Sequence, residues 1–189
     1  MMINEHKTKP APPLSAFISY AHEDELLRQQ LEIHLSLLRR QGLIAEWHDR
    51  KIIAGGEWAS DIDEHLESAA LILLLISPDF LASDYCYSIE MQRALERHKN
   101  DEVQVIPILL RPVDWEGAPF THLQCLPRDA KSITEWENRD AAFREVARGI
   151  RAAIEQFPVT PSLPQTMPTP STAPPATTSI ACLASKSGP

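Results

Sequence analysis

The sequence predicts an α/β domain built on a five-stranded parallel sheet with helices on both faces. Two observations carry this. The apolar pattern switches five times between a short strand-like run and a longer segment of helical spacing. One run, Ala70 to Ile76, is apolar at every position, as expected of a central parallel strand buried on both sides.

Ala16 to Tyr20 reads as the first strand. Asp24 to Arg40 reads as a helix, with Leu27, Leu31, Leu35 and Leu38 on one stripe and acids in its first turn. Gly42 is placed to end it, and Leu43 to His48 reads as the second strand. A loop from Asp49 to Trp58 precedes a short helix whose face is Ile62, Leu66 and Ala69. The third strand, Ala70 to Ile76, runs into a turn at Ser77-Pro78, and a long helical segment follows to about His98. Val103 to Leu110 reads as a fourth strand. Its Pro107 cannot donate to a ladder, which points to an irregular strand or one near an edge. After a loop, Lys131 to Trp136 reads as a weak fifth strand. Asn138 to Phe157 closes with a helix whose stripe is Phe143, Val146, Ile150 and Ile154.

Three regions separate by composition: a flexible lead at 1–14, a globular part at 15–157, and a Pro/Thr/Ser-rich tail at 158–189 that has little to bury. The net charge of −8 argues against nucleic acid or an anionic membrane as the main partner. Cys86, Cys125 and Cys182 are scattered, and no His cluster stands at ligand spacing, so neither a disulfide framework nor a metal site is expected. The start has no apolar signal-peptide core, and the longest apolar run, Ala69 to Ile76, is far short of a membrane span. These readings place the chain in the cytoplasm.

In parallel sheets ligands bind beyond the carboxyl ends of the strands. Four loops therefore matter: Ala21–Asp24, Asp49–Trp58, Ser77–Cys86 and Arg111–Phe120. The second is the most heavily equipped, with Arg50, Lys51, a Gly55-Gly56 pair and Trp58. Its glycines follow the second strand and lack the spacing of a dinucleotide fingerprint. No nucleophile elbow is present, and Ser19, His48 and Asp49 do not stand in the order of a hydrolase triad.

These loops resemble those of Toll/interleukin-1 receptor (TIR) domains, in the style of bacterial members. Phe17-Ile18-Ser19-Tyr20 is similar to the family's first strand, and Asp49…Gly56-Glu57-Trp58 to its BB loop. Ser77 to Cys86 resembles the segment opening the third helix, and Glu90 to Leu95 its glutamate-bearing turn. Ile106-Pro107-Ile108-Leu109 with Trp115 resembles the fourth strand and the loop after it. The likeness implies a flavodoxin-like sheet of order 2-1-3-4-5. It also implies one of two activities: hydrolysis of NAD+ at the nicotinamide–ribose bond, or signalling through association with other TIR domains via the BB loop. Either would involve self-association or a TIR partner; the first takes NAD+ as its substrate, with no separate cofactor, and the second is not enzymatic.

By this resemblance Glu90 is the catalytic carboxylate, stabilising positive charge on the ribose. From the residues alone it is a helix acid with Arg93 and Arg97 at i+3 and i+7, the pattern of a solvated ion pair. Ser19, Tyr20, His22, Arg50, Gly55, Gly56, Trp58, Phe80, Tyr85 and Cys86 are the expected substrate-binding set. His22 reaches a phosphate or adenine edge or lies exposed at a helix start. Arg50 pairs with pyrophosphate or serves solubility. Gly55 and Gly56 let the backbone approach a ligand or simply make a turn. Trp58 and Phe80 line the pocket or anchor their helices. The family places an aromatic residue four before the glutamate, whereas Tyr85 stands five before Glu90 and Cys86 four. Tyr85 therefore joins the site only if the helix starts after it or contains a bulge, and is otherwise a core aromatic.

Overall fold

The structure, a computed structural model, describes residues 13–48, 60–84 and 86–156. In chain order the main elements are β1 (Leu14–Ser19), α1 (Glu25–Arg40), β2 (Ile44–His48), α2 (Ser60–Ser68), β3 (Leu71–Ile76), α3 (Pro78–Ala82), a π turn (Cys86–Glu90), α4 (Met91–Lys99), β4 (Gln104–Leu109) and α5 (Arg139–Gln156). The four strands are parallel in the order β2-β1-β3-β4, matching the expected order at those positions.

Strand alternation divides the core in two. On one face Ala16 and Ile18, with Leu71, Leu73 and Leu75, pack under the apolar stripes of α1 and α5. On the other face Phe17, with Ile72, Leu74 and Ile76, packs against Leu66 of α2, Phe80 of α3, and Met91 and Ala94 of α4. Every side chain of β3 is buried, which is why that run carries no polar residue.

Local chemistry sets the boundaries. Gly42 adopts φ +70°, and its N–H donates to the Arg39 carbonyl while the Leu43 N–H donates to that of Leu38, closing α1 in a Schellman motif. Ser77 caps α3 by accepting from the Phe80 N–H at 3.1 Å, with Pro78 at the first helical position.

The fifth strand differs from expectation. Residues Lys131 to Trp136 do not extend; a capping box between Ser132 and Glu135 folds Ile133–Glu135 into a 3₁₀ turn with Ile133 buried. The place beside β4 is taken by a single bridging residue. Leu126 donates its N–H to Pro107 O at 2.9 Å and accepts from the Leu109 N–H at 2.8 Å. Pro107 thus turns its missing N–H to the outer edge, where one bridge substitutes for a ladder, and its pairing with Leu74 of β3 is undisturbed. Gly149 of α5 makes room for this bridge: a Cβ there would stand 2.6 Å from a Leu126 methyl.

At the start of α1, the Arg28 guanidinium lies 5.2 Å from the centre of the Tyr20 ring and pairs with Glu25 at 2.7 Å and Glu32 at 2.5 Å. Hydrogen bonding from Arg28 holds the Glu25 carboxyl down to about 2, with burial opposing and Tyr20 and Gln29 assisting. Because the folded-state value is depressed, the stability Glu25 contributes is complete above the ordinary carboxylate range and lost as pH falls toward 2. Arg28→Met is therefore expected to raise the pH midpoint of acid unfolding, followed by circular dichroism between pH 5 and 2. An unchanged midpoint would show that the pair is not coupled to folding.

Candidate functional site

The carboxyl end of β1 meets the π turn that leads into α4. Ser19, the last residue of β1, faces the same side as Phe17 and donates its hydroxyl to Glu90 Oε2. Both residues are buried, and Glu90 has no exposed surface. The expectation of a solvated ion pair is thus corrected. Arg93 pairs instead with Glu67 and with Glu96 at 2.7 Å, and Arg97 donates to the carbonyls of Leu66 and Ala69.

The π turn explains how Glu90 reaches the interior. The long helical segment expected after the Ser77-Pro78 turn, to about His98, is broken into α3, a π turn over Cys86–Glu90, and α4. A π turn takes one residue more than an α turn and is frequent at functional sites. The turn begins at Cys86, directly after Tyr85, whose own placement lies outside the described residues. Within the turn, Cys86 is buried and its thiol donates to the Tyr20 carbonyl at 3.5 Å.

The remaining expected residues divide. Phe80 is fully buried in the core beneath α3. The Tyr20 side chain lies on the opposite face from Glu90, in the α1–α5 core, because it is the residue after Ser19 on an alternating strand. His22 is exposed and lines a cleft with Ala21, Glu23, Asp79, Ala82 and Ser83. Arg50, Gly55, Gly56, Trp58 and Tyr85 lie outside the described residues. Thus the described structure brings Ser19 and Glu90 together with the buried Cys86 nearby, while the Tyr20 ring is separated from them.

A second cluster escaped the sequence reading. Asp24 is buried and accepts from the Ser77 hydroxyl, while Arg111 Nη1 lies 3.1 Å from Asp24 Oδ1 and 2.5 Å from Asp79 Oδ2. The hydrogen bond to Asp79, then that to Asp24, holds the Arg111 guanidinium above its usual range. Three of the four expected loops, those after β1, β3 and β4, are thereby tied to one another. Their position at strand ends was legible, but which polar side chains would interlock depends on a packing that sequence separation hides.

Among the described residues no group of three or more His, Cys, Asp and Glu side chains could hold a metal ion. Nor is any helix among them long and apolar enough to cross a membrane.

Comparison with known proteins fits this architecture. The chain is 54% identical over 150 residues to the uncharacterised protein y4lF of Sinorhizobium fredii (strain NBRC 101917 / NGR234), a match covering 79% of this chain and 46% of that protein. It is 26% identical over 148 residues to Toll-like receptor 2 of Equus caballus, covering 74% of this chain and 18% of the receptor. The chain thus spans less than half the length of these curated relatives. Among solved structures, the TIR domain of the Toll-related receptor TRR-2 from Hydra magnipapillata matches with a TM-score of 0.50 and 25% identity, covering 72% of this chain and 97% of that one. The family profile described as the TIR domain matches residues 16–147. The chain belongs to the TIR-domain family.

Proposed function

We propose that this TIR domain hydrolyses NAD+ at the nicotinamide–ribose bond when it self-associates. The observation that carries the reading is Glu90: a carboxylate buried at the carboxyl edge of the sheet, held by the Ser19 hydroxyl and delivered there by a π turn. Burying an ionisable group is costly, and such groups cluster at functional sites.

The chemistry asks little more of the protein. Nicotinamide leaves as a neutral molecule, taking the bonding pair onto its cationic nitrogen, so no general acid is required. Positive charge develops on the ribose, and a carboxylate beside it stabilises that charge. Water then adds to the anomeric carbon and releases a proton, giving ADP-ribose; an internal nucleophile in place of water gives a cyclic isomer. A carboxylate without exposed surface cannot meet a solute. The reading therefore requires the elements covering Glu90 to open on substrate binding or on association.

Purified protein, at high concentration or on a clustering support, is expected to release nicotinamide from NAD+. The closed carboxylate favours a second reading, in which Glu90 is a packing contact and the domain signals only by binding other TIR domains. The absence of turnover under every clustering condition, together with Gly56-dependent capture of a TIR partner, would favour that alternative.

Ser19 gives a finer test. Its hydroxyl holds the carboxylate, and a hydrogen bond to a charged group contributes about 1.5 kcal/mol, or roughly a tenfold change in rate. Ser19→Ala is expected to lower kcat by about that factor with little change in KM. A rise in KM at constant kcat would instead assign the hydroxyl to ground-state substrate binding.

A further inference from the structure

The loop after β1 and the segment after β3 are joined at three points. At one end the Ser19 hydroxyl donates to Glu90. In the middle the Cys86 thiol donates to the Tyr20 carbonyl at 3.5 Å. At the other end the Ser77 hydroxyl donates to Asp24. Ser19 ends β1 and Ser77 follows β3, and each holds a buried carboxylate of the other segment.

Arg111 closes this seam from outside. It lies two residues beyond β4 and brings one nitrogen, Nη1, to Asp24 Oδ1 at 3.1 Å and to Asp79 Oδ2 at 2.5 Å. Asp24 belongs to the loop after β1 and Asp79 to the first turn of α3, so the guanidinium bridges the two segments directly. Its two arms are unequal. The Asp24 side chain is 1% exposed, whereas those of Asp79 and Arg111 are 38% and 34% exposed. The Asp24 arm is anchored in the interior. The Asp79 arm meets water, where an ion pair contributes little and breaks easily. Beside that arm a cleft of about 340 Å³, lined by Ala21, His22, Glu23, Asp79, Ala82 and Ser83, already lies between the two segments at the surface. We propose that Arg111 is a latch: its Asp79 arm holds α3 against the loop after β1, and its release parts the two segments along the cleft and admits solutes to Cys86 and to the Ser19–Glu90 pair. Only the consequence for turnover rests on the proposed NAD+ hydrolysis; the opening itself is measured without NAD+.

The buried Cys86 thiol reports the opening. The full chain is treated with N-ethylmaleimide, and labelling of each cysteine is followed by peptide mass against time. Asp79→Asn keeps the side-chain volume and leaves Arg111 on Asp24, so its circular dichroism should match that of the unmodified chain. It is expected to label Cys86 about fivefold faster, the most that one ion pair of this exposure contributes. Cys125, buried next to the Leu126 bridge, reports general unfolding and should label at an unchanged rate. Glu23→Gln removes a charge from the same cleft without altering the bridge and should change neither rate. Arg111→Gln leaves two carboxylates facing each other and should label Cys86 faster still. An unchanged Cys86 rate in Asp79→Asn overturns the latch, as does equal acceleration at Cys125 or by Glu23→Gln. With NAD+, Asp79→Asn should raise kcat/KM by the same factor, since apparent affinity follows the open fraction. A fall in kcat/KM would overturn the gating role and assign the bridge to holding the site in shape. Faster labelling without turnover under any condition sinks the hydrolase reading and leaves the latch standing.

Discussion

Glu90→Gln and Glu90→Ala are expected to reduce nicotinamide release from NAD+ by about a hundredfold or more, the loss typical when a preorganised group facing developing charge is removed. Glu90→Gln is the more informative variant. Glutamine keeps nearly the same volume, and its amide oxygen still accepts from the Ser19 hydroxyl, so the packing around the π turn is preserved while the charge is gone. Glu90→Ala removes buried volume as well, and its loss of activity mixes chemistry with a cavity. The rate of each variant is to be read beside its unfolding curve. If the unmodified protein is active and Glu90→Gln keeps its full rate with an unchanged fold, the carboxylate is not the catalytic group. If Glu90→Gln is well folded and inactive while Ser19→Ala falls about tenfold, the two residues act as a carboxylate and the group that positions it.

The largest structural effect is expected at Arg97. Its guanidinium is almost wholly buried and donates to the carbonyls of Leu66 and Ala69, at the end of α2, with a further contact of 3.3 Å to Glu102. The last carbonyls of a helix have no partners of their own, and a cation there satisfies both the hydrogen bonds and the dipole. Arg97→Met keeps most of the side-chain volume but strands two carbonyls. It is expected to cost about 3 kcal/mol, or roughly 6–12 °C in Tm. Arg97→Lys should fall between, since an ammonium lacks the fork that reaches two acceptors. Arg93, one turn earlier on the same helix, also reaches α2, through Glu67, but it is exposed, and Arg93→Ala should leave the unfolding curve nearly unchanged. Thermal and urea unfolding of both variants make the comparison, and near-equal losses would show that burial does not govern their worth. Arg97 also clamps α4, which continues from Glu90, to α2, which follows the Asp49–Trp58 loop. Its loss should therefore lower any activity beyond what the unfolded fraction accounts for.

The fold was largely legible because its signal is local and repeated. Leu71 to Ile76 could only be a central strand, and the stripes of α1 and α5 matched the cores they enter. The fifth position was not legible. Lys131 to Trp136 has a strand-like composition, yet Ser132 and Glu135 bond to each other and close a turn first. At the site, Glu90 was identified by its resemblance to the TIR motif, and its contact with Ser19 joins two residues 71 apart in sequence. The Tyr20 side chain lies away from that contact for the opposite reason. It is adjacent to Ser19 in sequence, and adjacency on a strand places side chains on opposite faces.

The sequence by itself determined the family and most of the alternation of strands and helices, because periodicity and motif order are properties of the chain read residue by residue. Only the tertiary structure decided that Glu90 is a buried carboxylate rather than a solvated helix acid, and that Arg97 is a helix clamp rather than its counter-ion. One π turn rotates the helix face by a residue, and whether a charge meets water or protein is settled by the neighbours that fold over it.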